Sequence, residues 1–163
     1  MADERAEQDV AQQAVQALRR GLGDALVAVV LFGSRARGDA REDSDWDLLV
    51  IARDLPADYL DRHFMLKRML PDEIRGMVSI ISKTPSEFEQ ALPPLYLDIA
   101  LDGRLLHDTD DYAANRIELI RRLITDAGLQ RERTAAGDIW HVRSPASYRP
   151  LQWPANASIY ANQ

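Results

Sequence analysis

The sequence predicts one α/β (α+β) domain, helices flanking a small β-sheet, and three observations predict it. Apolar residues recur at helical spacing in some stretches and run continuously over strand length in others, and the two kinds alternate along the chain. A length of 163 residues suits a single domain that buries its core without staples. The sequence contains no cysteine, so neither a disulfide framework nor a thiolate metal site supports the fold.

Taken in order, Ala11, Ala14, Val15, Leu18 and Leu22 mark one face of a helix that Gly21 and Gly23 end near residue 21. Residues 25–32 (ALVAVVLF) form a continuous, valine-rich apolar run, expected as a strand covered on both faces. After a glycine-containing loop, residues 46–52 (WDLLVIA) read as a second strand. Pro56 is expected to start a helix carrying Leu60, Phe64, Met65 and Met69 to the core, and residues 76–82 (GMVSIIS) to form a third strand. Thr84 and Pro85 read as N-cap and first residue of a helix to about residue 92, with Glu87 completing a capping box. Pro93 and Pro94 break it, and a short helix LYLDIALD and short strand RLLH follow. The clearest helix spans residues 110–127, with Ala113, Ile117, Ile120, Ile124 and Ala127 on one face, Thr109 capping it and Gly128 ending it.

At residue 129 the composition changes. Residues 1–128 are read as the domain, and 129–163 as a tail containing proline and tryptophan. Its QRERT, AAGD and IWHVR segments resemble a hairpin. Trp140 and Trp153 predict that this tail packs on the domain or on a partner, because large aromatics are rarely left to solvent.

A net charge of -6 and a pI near 5.0 argue against nucleic acid, whose binders present a basic face. The charged N-terminus lacks the apolar region of a signal peptide, and no window has the about 18 apolar residues of a membrane span. A cytoplasmic protein with no membrane association is expected.

Chemistry concentrates in residues 33–50, GSRARGDAREDSDWDLLV. Gly33 and Gly38 allow close backbone approach, Ser34 offers a hydroxyl and an N–H, and Arg35 and Arg37 bring fixed positive charge, all parts that handle phosphate. Each arginine has an alternative use in neutralising Asp39 or Asp43. The segment has neither the Walker spacing nor the dinucleotide-fold spacing. Asp45 and Asp47 stand two apart at a strand start, so both carboxylates leave one face. Paired carboxylates without nearby histidine or cysteine are hard oxygen ligands suited to Mg²⁺ or Mn²⁺, so a metal nucleoside triphosphate is the inferred ligand.

The GS of GSRARG, its following glycine and the SDWDLLV strand resemble the signature of the DNA polymerase beta-like nucleotidyltransferase superfamily, and the short chain resembles its minimal nucleotidyltransferases. The order of elements agrees over residues 1 to about 107. That resemblance implies a mixed sheet and an Mg²⁺-dependent transfer of a nucleoside monophosphate, from ATP in the first place, to a hydroxyl of a protein or small-molecule acceptor. It implies that Gly33 and Ser34 hold the triphosphate and that Asp45 and Asp47 are the catalytic metal ligands. The third carboxylate of the family's site falls at Ser79, which has no charge to hold a metal or take a proton. Asp72, Glu73, Glu87 and Asp98 are the other carboxylates near in sequence.

Two rival functions belong to other classes. A catalytically degenerate, nucleotide-binding module, similar to minimal nucleotidyltransferases that act as antitoxins beside a HEPN protein, is favoured by Ser79. A glycosyltransferase also uses a DxD motif, but the upstream Gly-Ser loop and the small size oppose it. His63, His107 and His141 have no metal-binding spacing. Tyr96, Trp140, Tyr148 and Trp153 are read as core or contact residues in preference to base-stacking platforms. The DTDD run at 108–111 reads as an acidic helix start.

Overall fold

The computed structural model describes residues 2–143 and 151–154, with side chains from residue 10 onward. Helix α1 (Ala2–Leu22) leads through a 3₁₀ turn into β1 (Leu26–Phe32), and then α2 (Gly33–Arg37) and β2 (Trp46–Ala52) follow. Next come α3 (Tyr59–Met69), α4 (Asp72–Arg75), β3 (Val78–Lys83), α5 (Pro85–Gln90) and α6 (Pro94–Asp102). The chain continues through β4 (Arg104–Asp108) and α7 (Tyr112–Asp126) into the strands β5 (Leu129–Thr134) and β6 (Gly137–Val142).

Four strands form one mixed sheet in the order β3-β2-β1-β4. β1 runs antiparallel to both β2 and β4, whereas β2 and β3 are parallel, joined by the crossover through α3 and α4. Helices cover both faces of the two central strands, which explains their unbroken apolar runs. On one face Val29, Leu31, Leu48 and Val50 pack beneath Ala14 and Leu18 of α1 and Leu66 of α3. On the other, Val27, Val30, Leu49 and Ile51 meet Phe88, Ile99, Ile117 and Ile120 of α5, α6 and α7. β3 is an edge strand, and its residues alternate between buried and half-buried.

Several sequence expectations are corrected. The third helix begins at Tyr59, where the Asp58 carboxylate accepts from the N–H groups of Leu60 and Asp61. That start rotates Leu60 and Phe64 outward, 60% and 54% exposed, and leaves Leu66 and Leu70 as the core residues with Met65 and Met69 packed beside them. Thr109 does not cap α7. Its hydroxyl donates to the Leu26 carbonyl, and the Asp108 carboxylate accepts from Ala113 N and Ala114 N instead. The glycine loop after β1 is not all loop, since Gly33–Arg37 form a helical turn closed by Gly38 in the left-handed region at φ 81°. Thr84 and Glu87 do form the capping box.

β5 and β6 form an antiparallel hairpin, the second sheet. Trp140 of the hairpin and Trp153 pack against the α5/α6/α7 core. Trp140 Nε1 donates to Asp98 Oδ1 at 3.0 Å, and Trp153 Nε1 donates to the Phe88 and Ala91 carbonyls at 3.2 and 3.1 Å. Tyr96 is 3% exposed and tilts against Phe88, a core role that pushes its phenol up to about 12 through burial. Tyr148 lies outside the described residues, as does the rest of the tail at 144–150 and 155–163.

Candidate active site

Antiparallel pairing of β1 and β2 sets the end of one strand beside the start of the other, with Phe32 opposite Asp47. The Gly-Ser segment that follows Phe32 therefore lies against the DxD segment, although residues 33–45, with α2 among them, separate the two strands along the chain. Contact is close: a Cβ on Gly33 would sit 2.4 Å from Asp47 Oδ2. Gly33 also has φ +72°, so both its backbone and the space above it call for glycine. Ser34 follows in the first turn of α2, where backbone N–H groups have no helical acceptor, and its own carbonyl accepts from Gly38 N at 3.0 Å.

Asp45 is exposed and Asp47 half-buried. Burial first, and then the negative charge of Asp45, raise the Asp47 carboxyl above the usual carboxylate range, while Arg37 opposes the shift. In the parallel ladder Asp47 is the partner of Ser79, and Ser79 Oγ donates to Asp45 Oδ2 at 3.1 Å. The structure thus brings together Gly33, Asp45, Asp47 and Ser79.

The two arginines differ. Arg35 donates to the Ser44 carbonyl from Nε at 3.2 Å and Nη2 at 3.0 Å, reaches the Glu42 carbonyl at 3.3 Å, and lies 4.9 Å over the Trp46 ring. It braces the loop that delivers Asp45. Arg37 pairs with Asp39 Oδ2 at 3.2 Å, and its charge also acts on Asp47.

Other carboxylates are engaged elsewhere. Glu87 receives both Nη atoms of Arg62 and the Thr84 N–H; Asp98 receives Trp140 and Arg131; Asp72 pairs with Arg75. Glu73 is exposed on α4. Among the described residues, no group of three or more His, Asp or Glu side chains is arranged to hold a metal ion. The donors that are present, two carboxylates and a hydroxyl, have the hard oxygen chemistry a divalent cation takes, and its charge would offset the burial and the Asp45 repulsion that together raise Asp47.

Sequence reasoning missed two contributors. Lys67 of α3 donates from Nζ to the carbonyls of Arg75 and Val78, which fixes the residue before Ser79; burial lowers its pKa and Asp45 opposes that. No local motif marks it, because its partners lie in the next turn and strand. The other is Arg133, which the expected hairpin brings within 3.7 Å of Asp39 Oδ2. The basic residues of QRERT were its available signal.

Residues 18–112 match the family model described as polymerase beta, nucleotidyltransferase. The chain is 33% identical over 126 residues to a Methanocaldococcus jannaschii protein named as a protein adenylyltransferase, a match covering 75% of this chain and 86% of that one. A second protein of that organism with the same naming is 51% identical over 91 residues, 56% of this chain and 79% of the other. Solved structures similar to this chain include a toxin-antitoxin with AMP-PNP (23% identity, TM-score 0.49, 71% of this chain and 90% of that one). A nucleotidyltransferase from Sulfolobus solfataricus is also similar (22% identity, TM-score 0.49, 68% and 90%). No described helix is long and apolar enough to cross a membrane.

Proposed function

The chain belongs to the polymerase beta nucleotidyltransferase family, and from that membership we propose that it moves a nucleoside monophosphate, AMP from ATP in the first place, onto a hydroxyl of a protein acceptor. The observation that carries the reading is the contact between Gly33 and Asp47, a backbone without a side chain pressed against a carboxylate at the junction of β1 and β2. The relatives named as protein adenylyltransferases support a protein as acceptor.

In this reaction the acceptor oxygen attacks the α-phosphorus, the bond from that phosphorus to the α–β bridging oxygen breaks, and pyrophosphate leaves with the bonding electrons. Gly33 lets the triphosphate approach the main chain, and Ser34 offers it a hydroxyl and an N–H. Asp45 and Asp47 would hold a divalent cation, Mg²⁺ or Mn²⁺, which supplies neutralisation of charge on the phosphates when bound. Arg35 orients Asp45 by bracing its loop, and Ser79 holds the Asp45 carboxylate by donating to it. The acceptor hydroxyl's proton passes to solvent, because Ser79 offers no base at the third position. Transfer is accordingly slow.

The test is transfer of labelled ATP to candidate protein acceptors and to small hydroxyl compounds, with wild type, Asp45→Asn and Asp47→Asn. Transfer to protein that both substitutions abolish is the expected result. A specific observation, Ser79 beside Asp47 in the ladder, favours a second reading, a nucleotide-binding regulatory module of the antitoxin kind beside a HEPN-like partner. ATP binding lost in the Asn variants, with no transfer to any acceptor, would establish that reading in place of the enzyme.

A further inference from the structure

The hairpin of β5 and β6 lies outside the residues that match the family model, yet it meets the phosphate-loop side of the site. Arg131 anchors it: Nη1 and Nη2 both bond the Asp102 carboxylate, at 2.5 and 3.0 Å, and the side chain is only 14% exposed. Trp140 adds a second anchor on Asp98. Two residues from Arg131 and on the same strand face, Arg133 is held differently. Its three ionic contacts, to Asp39, Asp102 and Asp138, are all long at 3.7, 3.7 and 3.8 Å, and its side chain is 53% exposed.

Arg133 and Arg37 converge on one atom. Arg37 Nε lies 3.2 Å and Arg133 Nη1 lies 3.7 Å from the same Asp39 Oδ2. Two guanidiniums around one anionic oxygen are the arrangement a phosphate oxygen seeks, since each presents forked N–H donors. Arg37 stands one helical turn after Gly33, about 6 Å along α2, a span comparable to that from an α- to a γ-phosphate. Its charge makes a small favourable contribution at both Asp47 and Asp102, the latter being the α6 carboxylate that Arg131 of the hairpin grips.

We propose that Arg133 of the hairpin joins Arg37 in gripping the β- and γ-phosphates of the nucleotide, with Asp39 Oδ2 marking the anion position between them. This rests on the nucleotide-binding reading above. Arg133 is then a binding residue that selects triphosphate over monophosphate, and Asp39 is a competitor that the phosphates displace from the two arginines.

The experiment is calorimetric titration of the whole chain with ATP, AMP and inorganic tripolyphosphate, using wild type, Arg133→Ala, Arg133→Lys and Asp39→Asn. Arg133→Ala should weaken ATP and tripolyphosphate about tenfold and leave AMP unchanged, with part of the loss restored in Arg133→Lys. Asp39→Asn should tighten both triphosphates. Equal weakening of ATP and AMP in Arg133→Ala would show that the hairpin merely supports the fold of the site, and unchanged ATP affinity would show that Arg133 does not reach the phosphates; either overturns the proposal while the nucleotide reading stands. A wild type that binds neither ATP nor tripolyphosphate overturns both.

Discussion

Replacing Gly33 by alanine separates backbone strain from damage to the site, because Gly38 provides a matched control. Both glycines have positive φ, +72° and +81°. An alanine held there costs about 1–2 kcal/mol, so urea unfolding should show that loss for Gly38→Ala and at least that loss for Gly33→Ala. Only at Gly33 does the new Cβ meet an obstacle: Asp47 Oδ2 lies at 2.4 Å and Asp47 Cγ at 3.3 Å, whereas nothing lies within 4 Å at Gly38. Contacts below 3.0 Å are not sustained, so the Asp47 carboxylate or α2 must move by several tenths of an ångström. Between Asp47, proposed to hold the cation, and Gly33, proposed to hold the triphosphate, a displacement of about 1 Å costs on the order of 10²-fold in transfer rate, and this smaller one costs about tenfold or more. Titration with MgATP and a labelled-transfer assay would check it, with Gly33→Ala at least about tenfold weaker in binding than Gly38→Ala. Gly33→Val should be worse still, and worse than Ser34→Ala, which removes a hydroxyl without a clash. Equal affinity in the two alanine variants would refute the close approach.

The buried pair Arg116–Glu89, at 2.6 Å with side chains 2% and 9% exposed, predicts that Glu89→Ala loses about 3–5 kcal/mol in urea unfolding, because the Arg116 charge loses its carboxylate in the core; a loss under about 1 kcal/mol would contradict this. Glu87 is held at about 2 chiefly by its hydrogen bond from Arg62, below its ordinary 4.5. Its folded pKa is the lower one, so the unfolded chain binds more protons between those values. The stabilisation is present above about pH 4.5 and is lost as pH falls toward about 2. Discounted for a side chain 35% exposed, it amounts to about 1–2 kcal/mol, and the stability gap between wild type and Glu87→Gln should shrink over that window. Ser79→Asp should raise the rate of labelled-ATP transfer and its response to Mn²⁺, by placing a carboxylate beside Asp47; an unchanged rate would refute the role proposed for this position.

The sequence by itself determined the elements whose signals are local. Continuous apolar runs specify β1 and β2 because both their faces are buried, and Thr84 with Glu87 specifies the start of α5 because a capping box closes within one turn. Alternation along a strand predicts that Asp45 and Asp47 share a face, but β2 begins at Trp46, so Asp45 lies in the preceding loop and is tied to the strand pair through its hydrogen bond from Ser79. Tertiary structure decided what depends on segments distant along the chain. The outward turn of Leu60 and Phe64 follows from the Asp58 cap and from the side of the sheet on which α3 lies, since apolar spacing alone does not say which of two neighbouring stripes meets the core. Ser79 stands beside Asp47 because β2 and β3 pair in parallel at one register, and a slip of one residue would have turned it to the other face. Arg131 and Arg133 look alike in sequence, two residues apart on one strand. Only the position of Asp102 against the hairpin makes the first an anchor and leaves the second exposed beside Asp39, because long-range ion pairs are set by packing and have no period to read.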